Sequence, residues 1–174
     1  MLALLPCGAL NASADDTGAW RAKLADRLPL YGHRNWICIV DSAYPAQTSP
    51  GVETLVTGDD QLTVLRDVLA ALGKTPHVKP VALIDAELPF VTEAAAPGIG
   101  AYRTALEQTL TGTFVERIPH EKIIHELDRA GALVKVLILK TNLTLPYTSV
   151  FLRLECGYWT AEKEAALRAS LNGK

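Results

Sequence analysis

The sequence predicts an α/β fold of three layers, in which helices cover both faces of a mostly parallel, mixed central sheet. Two observations carry this prediction. Short apolar segments rich in β-branched residues alternate with segments of helical periodicity, and the last two such strands follow each other without an intervening helix. We expect a single domain over residues 14–174, preceded by an apolar extension over residues 1–13.

The first two elements lie in the N-terminal quarter of the chain. The segment DDTGAWRAKLADRL begins with capping residues, carries Trp20, Leu24 and Leu28 at helical spacing and meets Pro29, so it predicts a helix. The run Asn35 to Asp41, NWICIVD, is continuously apolar up to its last residue. Such a run is typical of a central strand buried on both faces.

The next helix and strand have the clearest patterns. DDQLTVLRDVLAALG starts with an aspartate cap, repeats leucine and valine along one face and meets Gly73. The segment VKPVALID, residues 78–85, then predicts a second core strand. Pro80 suggests that this strand begins irregularly or lies at an edge.

The second half of the chain continues the alternation. We expect a helix in GAYRTALEQTL, a strand in TFVERI and a helix in HEKIIHELDRAG that ends at Gly131. The remaining segments predict two strands, LVKVLILK and YTSVFLRLECGYW, and a polar, capped helix, TAEKEAALRASL. In such sheets a ligand crevice lies beyond the carboxyl ends of the strands, where Asp41 falls.

Composition excludes several classes of function. With 49% hydrophobic residues, 21% charged residues and a net charge of −2, the chain has no clustered basic surface for nucleic acid. Three cysteines without C-x-x-C spacing indicate neither a disulfide framework nor a zinc site. We expect no membrane span and a cytoplasmic protein; an exported protein is the alternative if the apolar N-terminus is a signal remnant.

His33 and Asp41 flank the first predicted strand. Eight residues of extended chain separate them by roughly 25 Å. They therefore cannot contact one small ligand within one subunit unless the chain folds back or another subunit contributes. Taken alone, each is also explained as a turn or capping residue.

Two further histidines lie on the predicted helix HEKIIHELDRAG. His120 and His125 are five residues apart, a spacing that does not place them on one helical face, so a metal site from this pair is not favoured. His125 does share a face with Arg129. For both histidines a solvated surface position is an equally good explanation.

Residue order adds a resemblance. Gly32, His33, Asp41 and Pro45 follow the first helix in the order and spacing that resemble the opening of the D-ribose pyranase and L-fucose mutarotase family. The segments SPGVETLVTGDDQLTVLRDVLAAL, ERIPHEKIIHEL and LKTNLTLPYTSVFL are similar in layout to later parts of that family. The resemblance covers most of residues 16–158.

The resemblance implies a function and an assembly. Family members open and close the pyranose ring of free sugars without a metal or organic cofactor, and they form rings, typically decamers, with clefts between subunits. His33 would be the principal acid or base, and Asp41 would orient it across the interface or bind a sugar hydroxyl. Tyr147 would lie against the sugar and hydrogen-bond it.

The predicted helix HEKIIHELDRAG can be matched to the family in two registers. One register places His120 where the fucose branch has an arginine; the other places His125 and Arg129 where the ribose branch has a histidine and a lysine. We prefer the first.

Three departures bear on the substrate. Ser149 replaces an asparagine, Leu143 replaces an acidic residue, and Gln47 replaces a histidine of some fucose-branch members. Losing an amide and a carboxylate removes groups that bind a polyol. A catalytically weak sugar-binding or structural member of the fold is therefore the alternative to an active mutarotase or pyranase acting on a fucose- or ribose-like sugar.

Overall fold

The computed structural model describes residues 18–172 and confirms the α/β class. Its strands are β1 (Trp36–Val40), β2 (Val52–Val56), β3 (Val78–Asp85), β4 (Phe114–Ile118), β5 (Val136–Lys140) and β6 (Val150–Cys156). Its helices are α1 (Ala19–Arg27), α2 (Gln61–Leu72), α3 (Ile99–Thr109), α4 (His120–Leu133) and α5 (Ala161–Asn172). Short 3₁₀ turns, Leu28–Leu30 and Leu88–Phe90, follow α1 and β3.

The strands form one mixed sheet in the order β2-β5-β1-β6-β3-β4. β6 runs antiparallel to both β1 and β3, whereas the pairs β2 with β5, β5 with β1, and β3 with β4 are parallel. Five strands therefore end at one edge of the sheet, which we call the carboxyl edge, and β6 begins there. The opposite margin is called the amino edge.

Two separate cores confirm the three layers. One face of the sheet packs against α1, α2 and α3 through residues such as Trp20, Leu65 and Ile99. The other face packs against α4 through Ile123 and Leu127. β1 is buried along its whole length, as expected for a strand covered on both sides.

Local signals explain most of the element boundaries. The Asp60 side chain accepts a hydrogen bond from the Thr63 backbone N–H and caps α2, and the Thr160 hydroxyl accepts one from the Lys163 N–H at the start of α5. The capping residues expected before α1 lie at positions 15–17, outside the described residues. Within residues 18–172, no helix has both the length and the apolarity to cross a bilayer.

The predicted end of α4 at Gly131 is wrong, because the helix continues to Leu133. A Cβ atom at position 131 would approach a methyl group of Val52 to 2.8 Å and the Cβ of Ser49 to 3.2 Å. The Gly131 carbonyl also accepts a hydrogen bond of 2.9 Å from the Gly51 N–H. This glycine therefore permits close packing of α4 on the start of β2 instead of ending the helix.

Pro80 lies inside the sheet, in β3, but at a position with one neighbouring strand. It pairs with Leu154 of β6, whereas β4 pairs with β3 only from Val81 onward. A residue without an N–H is tolerated there because no ladder on the β4 side is interrupted.

Candidate functional site

Polar side chains converge at the carboxyl edge of the sheet. Asp41 follows β1, Asp85 is the last residue of β3, and His120 begins α4 directly after β4. Tyr147 and Ser149 precede β6, whose reversed direction brings its start to the same edge. Four of the seven side chains expected at a site thus lie along one margin, joined by Asp85, which we did not expect there.

Asp85 and His120 form the central pair of this site. Asp85 Oδ1 lies 3.1 Å from His120 Nδ1, and the Asp85 side chain is completely buried while that of His120 is one third exposed. The backbone N–H of His120 donates to the Glu87 carboxylate at 3.1 and 3.2 Å. An acidic group at this position complements the positive end of the α4 dipole and fixes where His120 begins.

The buried carboxyl of Asp85 has unusual electrostatics. Burial raises the pKa of Asp85 to about 6; His120 opposes this increase, while the charges of Glu87 and Asp41 add to it. Among the residues that the structure describes, Asp85 Oδ2 is the one buried side-chain oxygen or nitrogen without a hydrogen-bond partner. A desolvated, partly satisfied carboxylate next to an accessible histidine is typical of a functional site.

Tyr147 forms one wall beside His120. The two ring centroids lie 5.7 Å apart with the planes perpendicular, and 42% of the tyrosine is exposed. Tyr147 has a φ of 56°, in the left-handed region that costs roughly 1–2 kcal/mol for a residue with a Cβ. A conformation of this cost is retained only where the surroundings determine it.

A buried polar network holds the segment that carries Tyr147. The Gln61 amide and the Tyr102 hydroxyl both donate to the Thr148 carbonyl, the latter at 2.8 Å. The Thr141 hydroxyl, at the end of β5, donates to the Gln61 carbonyl oxygen at 3.1 Å. Through these hydrogen bonds the buried Gln61 links the carboxyl end of β5 to the segment that carries Tyr147.

Asp41 is partly occupied by its own chain. Its Oδ1 accepts a hydrogen bond of 2.9 Å from the Ala43 N–H, and its Oδ2 accepts one of 3.1 Å from the Ser149 hydroxyl. Two of its acceptor sites are used in this way. A carboxylate has about four, so Asp41 can still receive a ligand hydroxyl.

His33 lies at the other end of β1, at the amino edge. It is exposed in the turn before the strand and lines a groove of about 1290 Å³ together with Phe114, Tyr158 and Trp159. One chain therefore does not bring His33 and Asp41 together. The separation expected from the extended strand is present.

The alternative register of α4 leads away from the carboxyl edge. His125 is exposed in the middle of the helix, and Arg129 lines a small pocket with Trp36 and Arg153, near the amino edge. The geometry favours the register with His120. Two of the three substituted positions have local roles, since Leu143 packs against the larger core and Gln47 donates to the Tyr44 hydroxyl.

Asp85 and Glu87 are the functional candidates that sequence reasoning missed. Asp85 ends a predicted core strand in the way that Asp41 does, and this shared position was the available signal. Within residues 18–172, no group of three or more His, Cys, Asp or Glu side chains is arranged to hold a metal ion.

Comparison with known proteins supports the fold. No family model and no curated protein matches the chain. Among solved structures, RbsD from Bacillus subtilis in complex with D-ribose is 22% identical, with a TM-score of 0.52, over 90% of this chain and 100% of that chain. The fucose mutarotase from Streptococcus pneumoniae in complex with L-fucose is 18% identical, with a TM-score of 0.52, over 87% of this chain and 100% of that chain. The expected resemblance is confirmed at the level of the fold.

Proposed function

We propose that the protein is a monosaccharide mutarotase or pyranase that interconverts the anomers or ring forms of a free sugar without a cofactor. The observation that carries the proposal is the convergence of Asp41, His120, Tyr147 and Ser149 at the carboxyl edge. Their fold is shared with proteins whose solved complexes hold D-ribose and L-fucose. In open α/β sheets this edge is where ligands bind.

The residue types suit a polyol and a proton transfer. Carboxylate, hydroxyl and imidazole groups supply donors and acceptors for sugar hydroxyls, and the exposed ring of Tyr147 supplies an apolar surface for a pyranose face. Opening a hemiacetal requires one group to remove the proton of the anomeric hydroxyl and another to protonate the ring oxygen. Histidine can do either near neutral pH.

His33 enters this proposal through a second copy of the chain. It is exposed at the amino edge, away from the remaining candidates, so it reaches a sugar at the carboxyl edge only if a neighbouring subunit presents it there. We therefore propose a closed ring, a decamer by the resemblance, in which the amino edge of one copy faces the carboxyl edge of the next.

A second candidate function is sugar binding with little or no turnover. Position 143 holds a leucine that packs against the core, so it supplies no carboxylate to the site. The Ser149 hydroxyl is already bonded to Asp41. A site with fewer polar groups free for the sugar stabilises a charged transition state less well. This hypothesis keeps the fold and the ring but not the reaction.

The experiment that separates the two functions is saturation-transfer NMR of anomer exchange. Ribose, fucose, galactose and glucose are each followed with and without protein. Faster exchange for one sugar is expected for a mutarotase and identifies its substrate. Binding without faster exchange supports the second candidate. The absence of both binding and faster exchange would contradict both candidates.

A further inference from the structure

We propose that Asp85 is a positioning residue that makes His120 the acid or base of the carboxyl-edge site. This inference rests on the proposed function, which it deepens by assigning removal of the anomeric proton to His120 and its orientation to Asp85 of the same chain. The expectation from sequence gave the principal role to His33 and a binding role to His120.

The geometry of the pair carries the inference. The contact at Nδ1 leaves the other ring nitrogen, Nε2, on the opposite side of the imidazole. Asp85 is fully buried whereas one third of the His120 side chain is exposed, and the proposal assigns this exposed part to the Nε2 side of the ring. An ionised Asp85 accepts a hydrogen bond from the Nδ1–H group of His120. This keeps the proton on Nδ1, so Nε2 carries the lone pair that faces a ligand.

The groups around the pair leave this assignment to Asp85 alone. Glu87 is engaged by the His120 backbone N–H, and Asp41 is engaged by Ser149 and Ala43. Tyr147 meets the imidazole with its ring. Asp85 is the carboxylate bonded to the imidazole, and its second oxygen has no other partner to compete for its charge.

The proposed reaction step conserves atoms and charge. The proton of the anomeric hydroxyl passes to His120 Nε2 while the O–H electron pair forms the carbonyl at C1. The electron pair of the bond between C1 and the ring oxygen moves to the ring oxygen, which takes a proton from a water molecule held by His33 of a neighbouring copy. The resulting hydroxide removes the proton from His120, so the free aldehyde is formed without net proton uptake. Reversal on the other carbonyl face gives the other anomer.

The first test is independent of any sugar. In uniformly ¹⁵N-labelled protein at neutral pH, the His120 signals are identified by their loss in His120→Gln, and their ¹⁵N shifts report which ring nitrogen carries the proton. We expect protonated Nδ1 in the wild type and a shift toward protonated Nε2 in Asp85→Asn, because an amide can donate to Nδ1. Protonated Nε2 in the wild type, or an unchanged tautomer in Asp85→Asn, would overturn the inference.

The second test uses a double-mutant cycle on the exchange rate. Asp85→Asn is expected to slow anomer exchange about 100-fold, within the range of general acid or base catalysis, and to cause no further loss in His120→Gln. An equal loss in both backgrounds would overturn the assignment, since Asp85 would then act without His120. Asp26→Asn, an exposed position on α1, is the matched control. If the wild type exchanges no sugar while the tautomer result holds, the proposed function fails and the orientation of His120 by Asp85 stands.

Discussion

The two edges of the sheet use their polar residues in opposite ways. At the carboxyl edge, the completely buried Asp85 bonds to His120 next to a tyrosine in a left-handed conformation. At the amino edge, His33 is exposed on a wide groove whose walls include Phe114 and Trp159. One edge holds its groups in fixed positions at an energetic cost, whereas the other presents an accessible surface.

This difference assigns separate roles to the two edges. Buried charge and backbone strain persist where a site must be preorganised, because the surrounding fold offsets their cost. An exposed histidine beside an apolar groove has the character of a surface that meets a partner. We propose that the carboxyl edge performs the chemistry and that the amino edge completes it from a neighbouring copy.

The largest expected effect is on catalysis at the carboxyl edge. His120→Gln should lower the anomer exchange rate by about 10²- to 10⁴-fold, because it removes the group that transfers the proton. The unfolding temperature should change little, since one third of the side chain is exposed and the glutamine amide can still donate a hydrogen bond to Asp85. Saturation-transfer NMR and thermal denaturation provide the two measurements.

A histidine in the middle of α4 serves as the control for this substitution. His125 is exposed there, away from both edges of the sheet. His125→Gln should leave the exchange rate unchanged. Equal rates for His120→Gln and the wild type would remove His120 from the mechanism.

The second expected effect is a pH dependence of stability. The pKa of Asp85 is raised from 3.8 to about 6, so the folded state binds its proton more tightly than the unfolded chain. Its contribution to stability is fully present below pH 3.8 and is lost as the pH rises through about 6. The full difference corresponds to roughly 3 kcal/mol.

Asp85→Asn removes this titration and thereby isolates it. Relative to the wild type, the free energy of unfolding of the variant should rise by roughly 2.4 kcal/mol between pH 4 and pH 7, because at pH 4 the unfolded carboxyl is already partly ionised. Urea denaturation at several pH values measures the difference. Asp26→Asn should give a constant difference, and a constant difference for Asp85→Asn would show that Asp85 has an ordinary pKa.

The third effect concerns the strain at Tyr147. Tyr147→Gly should raise the free energy of unfolding by about 1 kcal/mol, because glycine adopts positive φ without cost, and it should weaken sugar binding. Tyr147→Phe is the matched variant, with unchanged stability and weaker binding through the lost hydroxyl. Calorimetry and denaturation measure both quantities. Destabilisation by glycine would show that packing of the exposed ring outweighs backbone strain.

The smallest effect is expected in the polar network beneath the site. Tyr102→Phe deletes one hydroxyl and should lower the free energy of unfolding by about 1 kcal/mol. The effect is small because the Thr148 carbonyl keeps its hydrogen bond from Gln61. The same variant should lower sugar affinity slightly by loosening the Tyr147 segment. Unchanged stability would indicate that Gln61 alone holds that segment.

Local sequence signals predicted most of the fold. The strand Val78–Asp85 has the predicted bounds, and Asp60 caps α2 as expected, because both features depend on neighbouring residues. The predicted end of α4 was wrong because Gly131 permits close packing against Val52, which lies 79 residues earlier in the chain. Such a contact leaves no local pattern.

The site was less predictable for the same physical reason. Asp41 was suggested by its position after a buried strand, and His120 by its position at a helix start. The bond between Asp85 and His120 joins residues 35 apart, and the burial that raises the pKa of Asp85 comes from the assembled sheet. Neither property is visible until the strands are placed side by side.

The most direct test of the division between the two edges is activity in mixed assemblies. His33→Ala and His120→Gln are each expected to be nearly inactive but well folded, because both side chains are exposed or partly exposed. When the two variants are coexpressed in equal amounts, roughly a quarter of the shared clefts combine an intact His33 with an intact His120 from its neighbour. Anomer exchange is then expected to recover to about that fraction of the wild-type rate. Mixed assemblies no more active than the separate variants would contradict a cleft built from both edges.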